Sequence, residues 1–328
     1  MNATRGAPTV SLVLGSGGAR GYAHIGAIEE LRAQGFDIRS VAGCSMGALV
    51  GGIYAAGKLN DFRDWSRSLQ RLDVLRLLDW TLSGGGFIKG DRVLNQIKNL
   101  IGDVRIEDLS IAYTAVAVDL YAQREVWFSR GPLFDAIRAS ISIPTIFRPH
   151  HYEGRTLVDG GLLNPVPVTP TLRDLTDCTI AIDINGGDEE GDAHVAARRD
   201  ATFGDMDEAL AANEHVDSAS ANDPSLAATT SRRKIANFID GLIEKREKKI
   251  AANAADPGTL ELFARTLDVV QQTITRYKLA AQPADLIVSI PRNVAAFYEF
   301  HRADDLIELG RARMRRALEH WNVPTRQR

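Results

Sequence analysis

The stretch Ile38-Arg39-Ser40-Val41-Ala42-Gly43-Cys44-Ser45-Met46-Gly47-Ala48-Leu49-Val50-Gly51-Gly52-Ile53-Tyr54-Ala55-Ala56 decides the reading of the chain. Ile38–Ala42 has the short apolar composition of a strand, and Met46–Ala56, rich in Gly and Ala, that of a helix packed closely on its neighbours. Between them Gly43-Cys44-Ser45-Met46-Gly47 spells G-x-S-x-G. A serine on a sharp strand-to-helix turn sits in a strained conformation, and only small flanking residues let the two elements approach so closely. The helix N-terminus behind it adds positive dipole and free N–H groups near any developing negative charge. A glycine-rich turn with an incidental serine is the plainer alternative, and the strand–turn–helix context weighs against it.

Upstream, Val10–Leu14 is an apolar strand that runs into Gly15-Ser16-Gly17-Gly18-Ala19-Arg20-Gly21 and then an amphipathic helix over Ala23–Ala33, stopped at Gly35. Successive glycine N–H groups make a concavity for an anion. A dinucleotide pyrophosphate is one candidate, but strict G-x-G-x-x-G fails because Ser16 stands five positions before Gly21. No acidic residue clearly ends the second strand to hold a ribose, since Asp37 comes before it. The oxyanion of a tetrahedral intermediate is the better fit.

Downstream, Ile111–Val118 and Glu125–Phe128 are expected as strands paired through their turn, Leu133–Ala139 as a helix, Thr156–Val158 and Thr179–Ile184 as strands. Strands interleaved with helices predict an α/β fold with a largely parallel sheet. The expected division is a catalytic core over 8–185, an acidic and polar, partly disordered surface insertion over 186–230, and a helical part over 231–328 packing on the core. That last part contains helices over Thr259–Leu279 and Ala303–Leu318 and a late strand over Leu286–Ile290.

The 328 residues are 45% hydrophobic and 25% charged with a net charge of −3, which excludes disordered and collagenous classes and argues against a nucleic-acid binder. Two cysteines, Cys44 and Cys178, make neither a disulfide scaffold nor a zinc site, and fit a reducing compartment. The N-terminal apolar run is too short for a signal-peptide core, and no run reaches a membrane span. A cytoplasmic protein that meets membrane only from the surface is the expectation.

A serine nucleophile needs a base. His194 and His215 lie in the polar insertion, and His301 and His320 on or beside an amphipathic helix; each has the setting of an ordinary surface histidine. His150 and His151 precede the Thr156–Val158 strand, with nothing to fix them as bases. Asp159 ends that strand before Gly160-Gly161, the placement of a strand-end catalytic residue, although aspartate before glycine is also common in plain turns. As a base it needs its pKa raised by burial.

Taken in order, Gly17-Gly18-Ala19-Arg20-Gly21, Gly43-Cys44-Ser45-Met46-Gly47 and Asp159-Gly160-Gly161 resemble the patatin-like phospholipases. Gly131–Pro144 is similar to the family's stretch before its aspartate loop, and Asn164–Val168 to the segment after it. Tyr298–His301 through Gly310-Arg311 is similar to the C-terminal helix of the family's bacterial branch related to neuropathy target esterase. The resemblance covers about Val10 to Ile184. It implies a three-layer α/β/α sandwich with a C-terminal helical extension, and a serine lipid hydrolase that uses a Ser45–Asp159 dyad without histidine. It further implies an oxyanion hole from the N–H groups around Gly17 and Gly18, in a loop that Arg20 and Gly21 complete. Ser16 stands where the family often has a glycine. No metal or organic cofactor is called for.

A lipid or lysolipid substrate rests mainly on the resemblance. Leu72–Leu82 before Ser83-Gly84-Gly85-Gly86 suits a mobile apolar lid, and the basic Arg232–Ala251 helix suits an anionic bilayer surface. A buried helix and a helix docked on its own domain are the plainer readings of the two. An acyltransferase with the same dyad and a catalytically idle lipid-binding module are the competing functions. Oligomeric state, head group and acyl position are not legible in the sequence.

Overall fold

The structure is a computed structural model that describes residues 7–77, 90–144, 146–187 and 259–323. Nearly all of these belong to one compact unit drawn from residues 1–192 and 266–328. The chain order is β1 (Thr9–Leu14), α1 (Ala23–Ala33), β2 (Asp37–Cys44), α2 (Met46–Ala55), α3 (Leu59–Ser68), α4 (Arg71–Leu77) and α5 (Asp91–Ile101). There follow β3 (Ala112–Asp119), β4 (Arg124–Phe128), α6 (Leu133–Ser140), β5 (His150–Tyr152), β6 (Arg155–Asp159) and β7 (Cys178–Gly186). The described part closes with α7 (Thr259–Ala281), β8 (Leu286–Pro291) and α8 (Ala303–Glu319).

One eight-stranded sheet runs in the order β5-β6-β3-β2-β1-β7-β8, with β4 branching from β3. The strands from β3 to β8 in this order pair in parallel, while β4, β5 and β6 join antiparallel. The sheet is therefore mixed and mostly parallel, as expected, with β3–β4 the anticipated hairpin. The strand expected over Thr179–Ile184 is longer and takes in Cys178 to Gly186. Asp37 opens the second strand rather than preceding it, because the parallel ladder begins with Asp37 beside Thr9.

A mostly apolar β1 is what burial on both faces demands, and Val10 through Leu14 are all buried, the one polar member, Ser11, bonding its hydroxyl to Asp174 and Thr176. Val10, Leu12 and Leu14 face a core shared with Ile25 and Ile28 of α1, Val50 and Ile53 of α2, and Ile307 and Met314 of α8. Val13 on the opposite face packs with Val166, Val168 and Ala181, against which Leu279 of α7 lies. Helices thus cover both faces, and the parallel strands deliver their C-terminal ends to one edge. Active sites of open α/β sheets form at such an edge.

Three elements escaped the sequence reading. Helices α3 and α5 were not anticipated, and His150–Tyr152 forms an edge strand on β6. The proposed lid begins inside α4, where Val74 is buried and Leu72 is 61% exposed; the rest of it, and the basic Arg232–Ala251 segment, lie outside the described residues. Among the described residues no helix is long and apolar enough to cross a membrane.

Candidate active site

Ser45 stands between β2 and α2 with φ 53° and ψ −121°, a left-handed conformation rare for a residue with a side chain. The flanking glycines account for its survival. A Cβ on Gly43 would lie 2.4 Å from Gly47 O, and a Cβ on Gly47 would lie 2.1 Å from Leu14 O, so the turn closes only without side chains there. The backbone N–H of Ser45 donates to Ser140 Oγ at 2.9 Å, and Ser140 Oγ donates in turn to Val116 O at 2.6 Å. The serine amide is thus committed to holding the turn.

Asp159 ends β6 opposite Ala117 of β3 and is 3% exposed. Its N–H donates to Ser142 O at 2.9 Å, so Ser140, the last residue of α6, and Ser142, two residues beyond it, hold the backbones of Ser45 and Asp159. Asp159 Oδ1 accepts from Gly161 N at 2.7 Å and from the Cys44 thiol at 3.9 Å. Oδ2 is buried with no hydrogen-bond partner among the described residues. Burial drives the Asp159 pKa up from 3.8 to about 6, with the neighbouring Ser45 hydroxyl, the Gly161 amide and the Cys44 thiol pulling it back. The Ser45 hydroxyl is thus close enough to act on Asp159 while falling short of a formed hydrogen bond to Oδ2, a looseness common in unliganded sites. Gly160 packs under the same corner, where a Cβ would meet Val116 O at 2.2 Å.

The glycine loop crosses the end of β1. Gly15, Ser16 and Ala19 donate their N–H groups to Ile182 O, Pro165 O and Phe297 O. Those of Gly17 and Gly18 have no acceptor among the described residues. Gly18, at φ +59°, is pressed so close to Phe297 O that a Cβ would sit 2.3 Å from it. Gly21 packs on Met46, the residue after Ser45. Arg20 is fully buried, and its guanidinium donates to Gly17 O, Arg292 O, Asn185 Oδ1 and Asp268 Oδ1 at 2.8–3.1 Å. It acts as the brace of the loop. His24 braces it from behind: its Nε2 lies 2.9 Å from Gly15 O, and burial lowers its pKa to about 4, so the ring is neutral and donates there.

The sequence-predicted residues therefore converge, but not with a histidine. Among the described residues no histidine hydrogen-bonds Ser45 or Asp159. His150 pairs with Asp135 at 3.1 Å and His320 reaches Arg316 O. Ser140, Ser142, His24, Asn185 and Gln271 were not picked out from the sequence. Nor do the described residues include three or more His, Cys, Asp or Glu side chains grouped as a metal would need.

The sequence model of patatin-like phospholipases matches residues 12–172. An NTE family protein of Mycobacterium tuberculosis, itself uncharacterized, is 42% identical over 342 aligned residues, which cover 96% of this chain and 93% of that one. The chain belongs to the patatin-like phospholipase family. Its likeness extends to larger proteins over a fraction of their length. Neuropathy target esterase sws of Drosophila melanogaster is 32% identical over 55% of this chain and 13% of its own. A patatin-like phospholipase domain-containing protein of Caenorhabditis elegans is 34% identical over 55% of this chain and 14% of its own. Among solved structures, VipD from Legionella pneumophila aligns over 96% of this chain and 67% of its own, with TM-score 0.42 and 14% identity. The mixed, mostly parallel sheet flanked by helices is the patatin fold, and the three motifs of this patatin-like chain fall inside the matched stretch.

Proposed function

We propose that this chain is a serine lipid acyl hydrolase, of phospholipase A or lysophospholipase type, that works through Ser45 and Asp159. The observation that carries the reading is the pairing of a serine at φ 53° on a strand-to-helix turn with a buried, proton-hungry carboxylate beside it. Asp159 takes the proton of Ser45 as its oxygen attacks the ester carbonyl. The Gly17 and Gly18 N–H groups receive the oxyanion; the Ser45 amide is unsuited to this, being bound to Ser140. The alcohol departs with that proton, and water then attacks the acyl-enzyme with Asp159 again as base. Lipid as the substrate class rests on the family and on the phospholipase and esterase names of the relatives.

The test is fatty-acid release from phospholipid and lysophospholipid micelles, wild type beside Ser45→Ala. Release abolished in the variant supports the reading; release that survives it contradicts the mechanism. The rate is expected to rise with pH through about 6, as Asp159 gives up its proton.

A further inference from the structure

Helix α7 lies outside the stretch matched to the patatin-like phospholipases, yet it reaches the candidate active site through a buried polar side chain. Gln271 is 6% exposed. Its amide oxygen accepts from Ser16 Oγ at 3.0 Å and from Asn185 Nδ2 at 3.3 Å.

The orientation of that amide is forced from Arg20. A guanidinium only donates, so the Asn185 atom 2.8 Å from it is the oxygen. The Asn185 nitrogen then donates to Ser16 O at 2.9 Å and faces Gln271, which must present its oxygen there. The Gln271 NH2 group is thereby turned toward the Asp159 loop. Its nitrogen lies 2.5 Å from the position a Cβ on Gly161 would take, and Asp159 Oδ1 lies 3.0 Å and Ser16 Oγ 3.1 Å from the same point. Gln271 Nε2 and Asp159 Oδ1 are therefore at most 5.5 Å apart. Gly161 must lack a side chain because three polar groups converge where it would go.

We propose that Gln271 is a positioning residue for the acyl transfer, a side chain that holds the glycine loop at Ser16 by a hydrogen bond and packs its NH2 group against the Asp159 loop at Gly161. It fixes the distance between the oxyanion donors and the general base. The proposal rests on the Ser45–Asp159 reading. It gives Ser16 a purpose that a glycine would not serve, since the Ser16 hydroxyl donates to Gln271. The charged groups around this tie are the Arg20–Asp268 pair at 3.1 Å, Asp183 beside Arg20, and the Glu125–Lys278 pair at 2.6 Å further along α7.

The experiment compares the full chain with Gln271→Met, Ser16→Ala, their combination and Gln271→Glu, using p-nitrophenyl butyrate across pH, with thermal melts for each. Misplacing reacting groups by about an ångström costs on the order of 100-fold. Gln271→Met and Ser16→Ala are each expected to lower kcat by roughly 10- to 100-fold with KM within about threefold, and the double variant to be no worse than either. Gln271→Glu keeps the Ser16 bond but sets a carboxylate near Asp159, so the acid limb of kcat/KM moves up by roughly one pH unit. If Gln271→Met does not fold, that pH shift decides alone. Wild-type kcat in Gln271→Met, or an unmoved acid limb in Gln271→Glu, overturns the proposal. A wild type that neither hydrolyses the ester nor labels with a fluorophosphonate overturns the Ser45–Asp159 reading and this proposal with it. An active wild type with indifferent variants overturns Gln271 only.

Discussion

Asp159→Asn should stabilise the protein, and by an amount that depends on pH in a defined way. Asp159 ionises near 3.8 when the chain is unfolded and near 6 when it is buried beside Ser45. At about 1.36 kcal/mol per factor of ten in the ionisation constant, that gap corresponds to about 3 kcal/mol. Between these two values the folded state holds a proton that the unfolded state has lost. The burial penalty is therefore absent below about pH 4, grows through the window, and is complete above about pH 6. Asparagine has no proton to lose and does not pass through this transition. The stability difference between Asp159→Asn and wild type should thus rise in favour of the variant by about 2 kcal/mol from pH 4.5 to pH 7.5. Urea unfolding of both proteins across that range measures it, and every other titrating group, His24 included, cancels in the difference. A difference that stays flat, or that turns against the variant as pH rises, refutes the claim that burial holds Asp159 as a destabilised base. The same variant should lose activity, the trade-off expected when a site is kept strained for chemistry.

Other consequences follow from the same contacts. Ser140→Ala strips the acceptor from the buried Ser45 amide, and should cost about 1–3 kcal/mol in urea unfolding and at least tenfold in kcat. Gly47→Ala would drive a Cβ to 2.1 Å from Leu14 O, so the turn cannot close; loss of folded protein, or a melting temperature lowered by many degrees, is the expected result. His24 is held neutral, with its pKa lowered from 6.5 to about 4, so its contribution is whole above pH 6.5 and is lost as pH falls toward 4. His24→Gln, which can still donate to Gly15 O, should remove about 3 kcal/mol of that acid-side loss when stability is followed by urea unfolding from pH 7 to pH 4.

What the sequence disclosed was whatever leaves a local signature. The apolar Val10–Leu14 run, the helical spacing of Ala23–Ala33 and the small residues packed around Ser45 each obey a short-range rule, and each element lies where that rule puts it. Asp159 was visible because it ends a strand before two glycines. The supports of the site obey no such rule. Ser140 lies 95 residues from Ser45, and Gln271 lies 255 residues from Ser16; nothing near either serine or glutamine in sequence announces its partner. Arg20 could be placed on the loop, but its acceptors at Asn185 and Arg292 arrive from β7 and from the turn after β8. His24 is hidden for a related reason: a histidine on a helix has the same pattern whether it faces water or, as here, a buried carbonyl. Helices α3 and α5 were legible and passed over: Leu59, Phe62 and Ser66 in the first, and Leu94, Ile97 and Ile101 in the second, fall on one buried face at helical spacing with a polar face opposite, a clearer stripe than that of the nearly all-buried core helices α1 and α2.

The central claim is that Ser45 is an activated nucleophile. Fluorophosphonate labelling of the purified full chain, with peptide mapping of the adduct, addresses it most directly when run beside Ser45→Ala and Asp159→Asn. The account predicts an adduct on Ser45 in the wild type, none in Ser45→Ala, and slower labelling in Asp159→Asn. An adduct on another residue, labelling that persists in Ser45→Ala, or a folded wild type that does not label at all would contradict it.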